Sequence, residues 1–135
     1  MIYIIYSFDD YPLIKPLTDE IRRLLPDTPV FLFEPARAPR FWHPRATRHL
    51  RKSHLVLVFE PLSGEQTEAG KHISWEIRKA EALHTRMVAV CRDPAHNRLS
   101  HLPAVALDLS GRHEHTFHRL CRRNCNRCSH CRQPL

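Results

Sequence analysis

The chain has 135 residues, 21 Lys and Arg against 14 Asp and Glu, a formal net charge of +7 and 42% hydrophobic residues. That length suits one domain with a real core, and no apolar run approaches the length of a membrane span. Met1-Ile-Tyr-Ile-Ile-Tyr6 is too short for the apolar part of a secretory leader and has no basic segment before it, so a cytoplasmic protein with reduced or metal-bound cysteines is expected.

Ile2 to Phe8, rich in Ile and Tyr, reads as a first buried strand, with Ser7-Phe8-Asp9-Asp10 at its carboxyl end. Tyr11 to Leu25 follows as a helix, with Leu13, Leu17, Ile21, Leu24 and Leu25 on one face and Pro16 early enough to be tolerated. Pro26-Asp-Thr-Pro29 ends it, and Val30-Phe-Leu-Phe33 makes a second strand. A loop runs from Glu34 to Trp42, and Pro44 to Lys52 is predicted as a short helix with Pro44 as its first residue. Between Ala36 and Lys52 stand five Arg and one Lys without an acid. Leu55-Val-Leu-Val-Phe59 is the clearest strand, and Pro61 to Gly70 is a polar loop.

The next stretch organises the chain. From Gly70, Ile73, Ile77, Ala80 and His84 recur at helical spacing, and Met87-Val-Ala-Val90 then suits a strand buried on both faces. Glu76 falls early in that helix, near the end from which ligand loops project; on spacing alone it reads equally as an ordinary surface glutamate. Val105 to Leu109 is a candidate fifth strand and His113 to Arg123 a final helix. Strands alternating with helices predict an α/β fold: a five-stranded parallel sheet in the order 2-1-3-4-5, flavodoxin-like, flanked by helices over residues 1–110. Residues 111–135, the final helix and a short tail, hold six Arg and one Glu. An acidic partner such as nucleic acid fits that tail, and so does plain solvation.

Cys121, Cys125, Cys128 and Cys131 lie within eleven residues of the tail, with His118 and His130 between or beside them. Four thiolates at that spacing suit a tetrahedral zinc; an iron–sulfur cluster, or a tail of reduced thiols, is equally open. Cys91, at a strand end, reads as a small buried residue. Arg37, Arg40 and Arg45 offer forked donors to a pyrophosphate, against the plainer reading of a basic soluble loop.

Ser7-Phe8 with Asp9-Asp10 after the first strand, Lys52-Ser-His-Leu-Val-Leu-Val58, and Lys71-His-Ile-Ser-Trp-Glu-Ile77 followed by Met87-Val-Ala-Val90 together resemble the TIR-like proteins, most nearly the bacterial ones of the Thoeris anti-phage system. The resemblance covers roughly residues 1–110. It implies an NAD-consuming enzyme, a glycohydrolase or ADP-ribosyl cyclase, in which Glu76 matches the glutamate that cleaves the nicotinamide glycosidic bond. Ser7, Phe8 and Asp9 would then lie against the ribose or nicotinamide, with His72 and Trp75 beside the glutamate; His72 stands where family members often carry Trp. It further implies a cyclic or conjugated ADP-ribose signal, a separate effector protein that senses it, and homo-oligomeric action. Two rivals remain: a nucleoside deoxyribosyltransferase-like enzyme, whose glutamate attacks the sugar, and a non-enzymatic adaptor or nucleic-acid-binding module using the basic tail.

Overall fold

The computed structural model describes residues 1–35, 42–61, 71–91 and 102–106. The Cys-rich tail, the expected helix from His113, and Arg37 and Arg40 lie outside the described residues.

Five strands, β1 (Ile2–Ile5), β2 (Val30–Phe31), β3 (Leu55–Phe59), β4 (Met87–Cys91) and β5 (Ala104–Ala106), form one sheet in the order β2-β1-β3-β4-β5. All neighbours are parallel, with Ile2 opposite Val30 and Leu55, Val56 opposite Met87, and Ala89 opposite Ala104. Every residue of β1, β3 and β4 is buried, which is why these strands read as unbroken apolar runs rather than alternating ones. The outer strand β2 is shorter than its sequence suggests: Leu32 and Phe33 are buried beyond it but do not pair with β1.

Helix α1 (Tyr11–Leu24) joins β1 to β2, α2 (His43–Lys52) joins β2 to β3, and α3 (Lys71–Ala82) joins β3 to β4. The pleat sends Ile2, Ile4 and Tyr6 into a core with Ile14, Leu17, Ile21 and Leu24 of α1. It sends Tyr3 and Ile5 to the opposite face, where Ala46 and Leu50 of α2 and Ile77 and Ala80 of α3 cover them. Each fully buried aliphatic side chain contributes roughly 1.5–3 kcal/mol.

The stripe on α1 is Ile14, Leu17, Thr18, Ile21 and Leu24, with the Thr18 hydroxyl donating to the Ile14 carbonyl at 2.9 Å. Leu13, placed on that face by the sequence pattern, is instead 47% exposed. Likewise His84 is not on the apolar face of α3. It follows the helix with φ 55°, while Thr85 N–H bonds to the Ala80 carbonyl and His84 N–H to that of Glu81. Those two bonds are a Schellman cap, which needs a left-handed residue where His84 stands. Helix α3 therefore buries His72, Ile73, Glu76, Ile77 and Ala80 to varying degrees, with half-buried Leu83 just past its end, and a carboxylate belongs to its inner face.

Among the described residues no helix is long and apolar enough to cross a membrane.

Candidate functional site

From β1 the chain turns one way to β2, and from β3 it turns the other way to β4. Diverging connections leave a crevice at the carboxyl ends of the two strands, the usual place for a ligand in an open parallel sheet. Ser7, Phe8 and Asp9 stand at that end of β1, and α3 starts beyond β3 and runs back across the sheet.

Ser7 is buried and opens a single 3-10 turn, Phe8–Asp10, closed by Asp10 N–H donating to the Ser7 carbonyl at 2.8 Å. Phe8 is half-buried and Asp9 exposed. The turn brings the Phe8 ring onto His72, with centroids 4.2 Å apart and planes 24° from parallel. His72 lies in the first turn of α3, and its Nε2 lies 2.8 Å from the Tyr6 carbonyl. A carbonyl only accepts, so the proton is on Nε2. Burial pushes the His72 pKa below its usual value, and the bond to Tyr6 opposes that in part.

One helical turn deeper, Glu76 is 2% exposed. Its Oε2 accepts the hydroxyl of Tyr3, which points across from β1, and its Oε1 is 3.5 Å from His72 Nε2. Burial pushes the Glu76 carboxyl up to about 8, against the lowering effect of the Tyr3 hydroxyl. Burial and the nearby carboxylate push the Tyr3 phenol far above its ordinary range. At neutral pH the group is therefore a largely protonated acid beside a neutral imidazole, not an ion pair. Such a carboxyl can give up a proton, or hold a positive charge once that charge is brought close enough to ionise it.

From its place early in α3, near the end from which ligand loops project, the Glu76 carboxylate is expected at the rim of the crevice. It lies a turn beneath, with His72 between it and the rim. The carboxyl reaches this depth because Glu76 is four residues before Ala80, on the helix face that packs on β1.

Trp75, adjacent in sequence, faces α2 instead. Its ring meets Trp42 edge-on at 5.0 Å and His43 at 4.7 Å, and Trp42 in turn meets His72 at 6.1 Å. Arg45 lies over the rings of Phe31 and Phe33 at 5.6 and 5.8 Å, a cation–π contact with the edge strand. It lines a pocket of ≈160 Å³ with Leu32, Phe33 and Glu34. The site thus joins Ser7, Phe8, His72 and Glu76 closely, with Trp75 behind His72 through Trp42 and Arg45 over β2. Arg37 and Arg40 lie outside the described residues.

Tyr3, Tyr6, Phe33 and Trp42 were missed as site residues. Two tyrosines in an otherwise aliphatic buried strand were the available signal, because a buried phenol needs a partner. Tyr3 finds Glu76, and the Tyr6 hydroxyl donates to the Phe33 carbonyl.

Cys121, Cys125, Cys128 and Cys131 lie outside the described residues; among the described ones no group of three or more His, Cys, Asp or Glu is gathered as for a metal. Cys91 is buried, as its strand-end position suggested, with its thiol 3.8 Å from the Val105 carbonyl. No protein-family model matches the chain, and no curated protein matches it either.

Proposed function

We propose that this chain is a TIR-like, flavodoxin-like enzyme of bacterial anti-phage defence that cleaves the nicotinamide glycosidic bond of NAD. The observation that carries the reading is the buried Glu76 carboxyl, one turn beneath the carboxyl end of β1 and separated from Ser7–Asp9 by His72. Breaking an N-glycosidic bond develops positive charge on the ribose, and a facing carboxylate stabilises it. Nicotinamide in NAD already leaves from a cationic ring, so no strong acid is needed.

A neutral Glu76 is compatible with this chemistry because the substrate brings the missing charge. An opposite charge within about 4–6 Å favours the ionised form of a carboxyl. The pyridinium ring would lower the Glu76 pKa on arrival and leave the free protein with a silent, protonated acid. His72 must turn aside for that approach; one bond to the Tyr6 carbonyl and one face of Phe8 hold it. The ribosyl product would become a cyclic or conjugated ADP-ribose signal sensed by a separate effector, with homo-oligomers as the active form.

The protonated state also favours a second reading, a nucleoside deoxyribosyltransferase-like enzyme. A neutral base leaves more readily when it is given a proton, and Glu76 in the free protein holds one. Mixing concentrated protein with NAD, and separately with deoxynucleosides, followed by mass spectrometry of the products distinguishes the two. Nicotinamide release by the wild type and its loss in Glu76→Gln supports the NAD reading. Equal rates in both proteins remove it.

A further inference from the structure

Helix α2 carries Arg45, Arg48, Arg51 and Lys52 and no acid. The remaining described residues hold nine Asp and Glu against seven Lys and Arg, so positive charge within the described fold is concentrated on this one helix. Arg45 leans over β2, but Arg48, Arg51 and Lys52 are exposed and form no ion pair among the described residues. With His43, Pro44 and Thr47 they line one shallow groove of ≈610 Å³. The same cations act on His49, whose pKa burial lowers and Arg45, Lys52 and Arg48 lower further.

The spacing is regular. Pro44, Thr47, Arg48 and Arg51 follow at i, i+3, i+4 and i+7, so cationic and hydroxyl groups recur each turn, about 5 Å along the axis. That is the scale on which neighbouring phosphates follow one another along a nucleic-acid strand. At the amino end the groove runs into aromatic surface. Exposed His43 lines the groove, lies flat on Trp42 with centroids 4.1 Å apart and planes 24° from parallel, and meets Trp75 edge-on at 4.7 Å. A cationic track ending in flat rings is the arrangement that holds single strands: charge follows the backbone and rings stack with bases. An acidic peptide would use the cations and leave the rings idle, and a duplex keeps its bases out of their reach.

We propose that the outer face of α2 binds single-stranded nucleic acid, its phosphates along Arg48, Arg51 and Lys52 and a base against the His43–Trp42 rings. The surface adjoins the Glu76 site through the Trp42 ring but does not depend on the NAD reading.

The test is fluorescence anisotropy with the full chain, a labelled 12-nucleotide poly-dT, the matching duplex and poly-glutamate, across a salt series. Wild type should bind the single strand most tightly, with salt dependence that includes these three phosphate contacts. Arg48→Ala/Arg51→Ala/Lys52→Ala should weaken binding at least tenfold and flatten the slope of log K against log salt by about 2. His43→Ala should weaken it several-fold without changing the slope. Arg22→Ala/Arg23→Ala on α1, across the sheet, should change binding much less, and circular dichroism confirms that each variant folds. The inference is overturned by absent binding in the wild type or by undiminished binding in the folded triple variant, which would move the contact elsewhere, such as to residues 111–135. Equal affinity for duplex or poly-glutamate overturns it as well. Nicotinamide release by the triple variant is a separate readout that this outcome does not touch.

Discussion

The hydroxyl of Tyr3 donates to the carboxyl of Glu76 across 73 residues of sequence, tying the second residue of β1 to the second turn of α3. Both groups are buried, so each is the other's replacement for water. Tyr3→Phe removes the donor and leaves Oε2 without it. The expected cost is about 1–3 kcal/mol in urea unfolding. An unchanged midpoint and slope would show that the bond contributes nothing.

Stability should also depend on pH in a direction opposite to the ordinary carboxylate. The folded Glu76 pKa is about 8 against a reference of 4.5. Below pH 4.5 the acid is protonated folded or unfolded, and burial carries no charge penalty. Between 4.5 and 8 the unfolded chain releases its proton first, so stability falls as pH rises and levels off above 8. His72 and His49, both lowered, act the other way around their own titration, so the comparison is the difference between wild type and Glu76→Gln. Thermal melts from pH 5 to 9 should show Glu76→Gln gaining on the wild type as pH rises. A constant gap would contradict the raised value.

The same titration governs turnover if Glu76 must ionise to act. With NAD, kcat/KM should climb toward pH 8, because it reports the free enzyme. Glu76→Gln should lower nicotinamide release by at least ~10²–10³. Ser74→Ala, exposed on the outer side of α3, should leave the rate nearly intact. A flat profile would mean that the carboxyl is not the group being titrated.

A fourth expectation concerns the cap of α3. His84 holds φ 55°, which is unfavourable for a residue with a Cβ. Glycine fits that position without strain, so His84→Gly should stabilise the fold by about 1 kcal/mol. The melting temperature measures it directly, and a lower value would place the side chain in some other stabilising contact.

Much of the frame was legible because the strands are buried on both faces and separated by helical periodicity; the strand order and the centrality of Leu55–Phe59 followed. The ends were less so. Leu13 and His84 continued an apolar spacing, but the helix axis and the cap decided their exposure. Glu76 shows where sequence reading stops. On spacing alone it read equally as a surface glutamate, and what makes its buried carboxyl tolerable is Tyr3, which only the folded chain brings near. Arg45 stood open between a pyrophosphate ligand and a plain basic loop; the rings beneath it, Phe31 and Phe33, come from a segment whose strand end the pattern overestimated.

The brevity of β2 has a bearing on how copies of this chain can meet. A sheet's outer strands carry backbone groups that can recruit a foreign strand, and long flat ones invite stacking into fibrils. At the β2 edge the pairs are Ile2–Val30 and Tyr3–Phe31. An intruding chain would find two rungs of ladder within β2, too few to offset the entropy of being ordered. Growth of the sheet past β2 is thereby discouraged, and on that side self-association is left to the neighbouring helical faces.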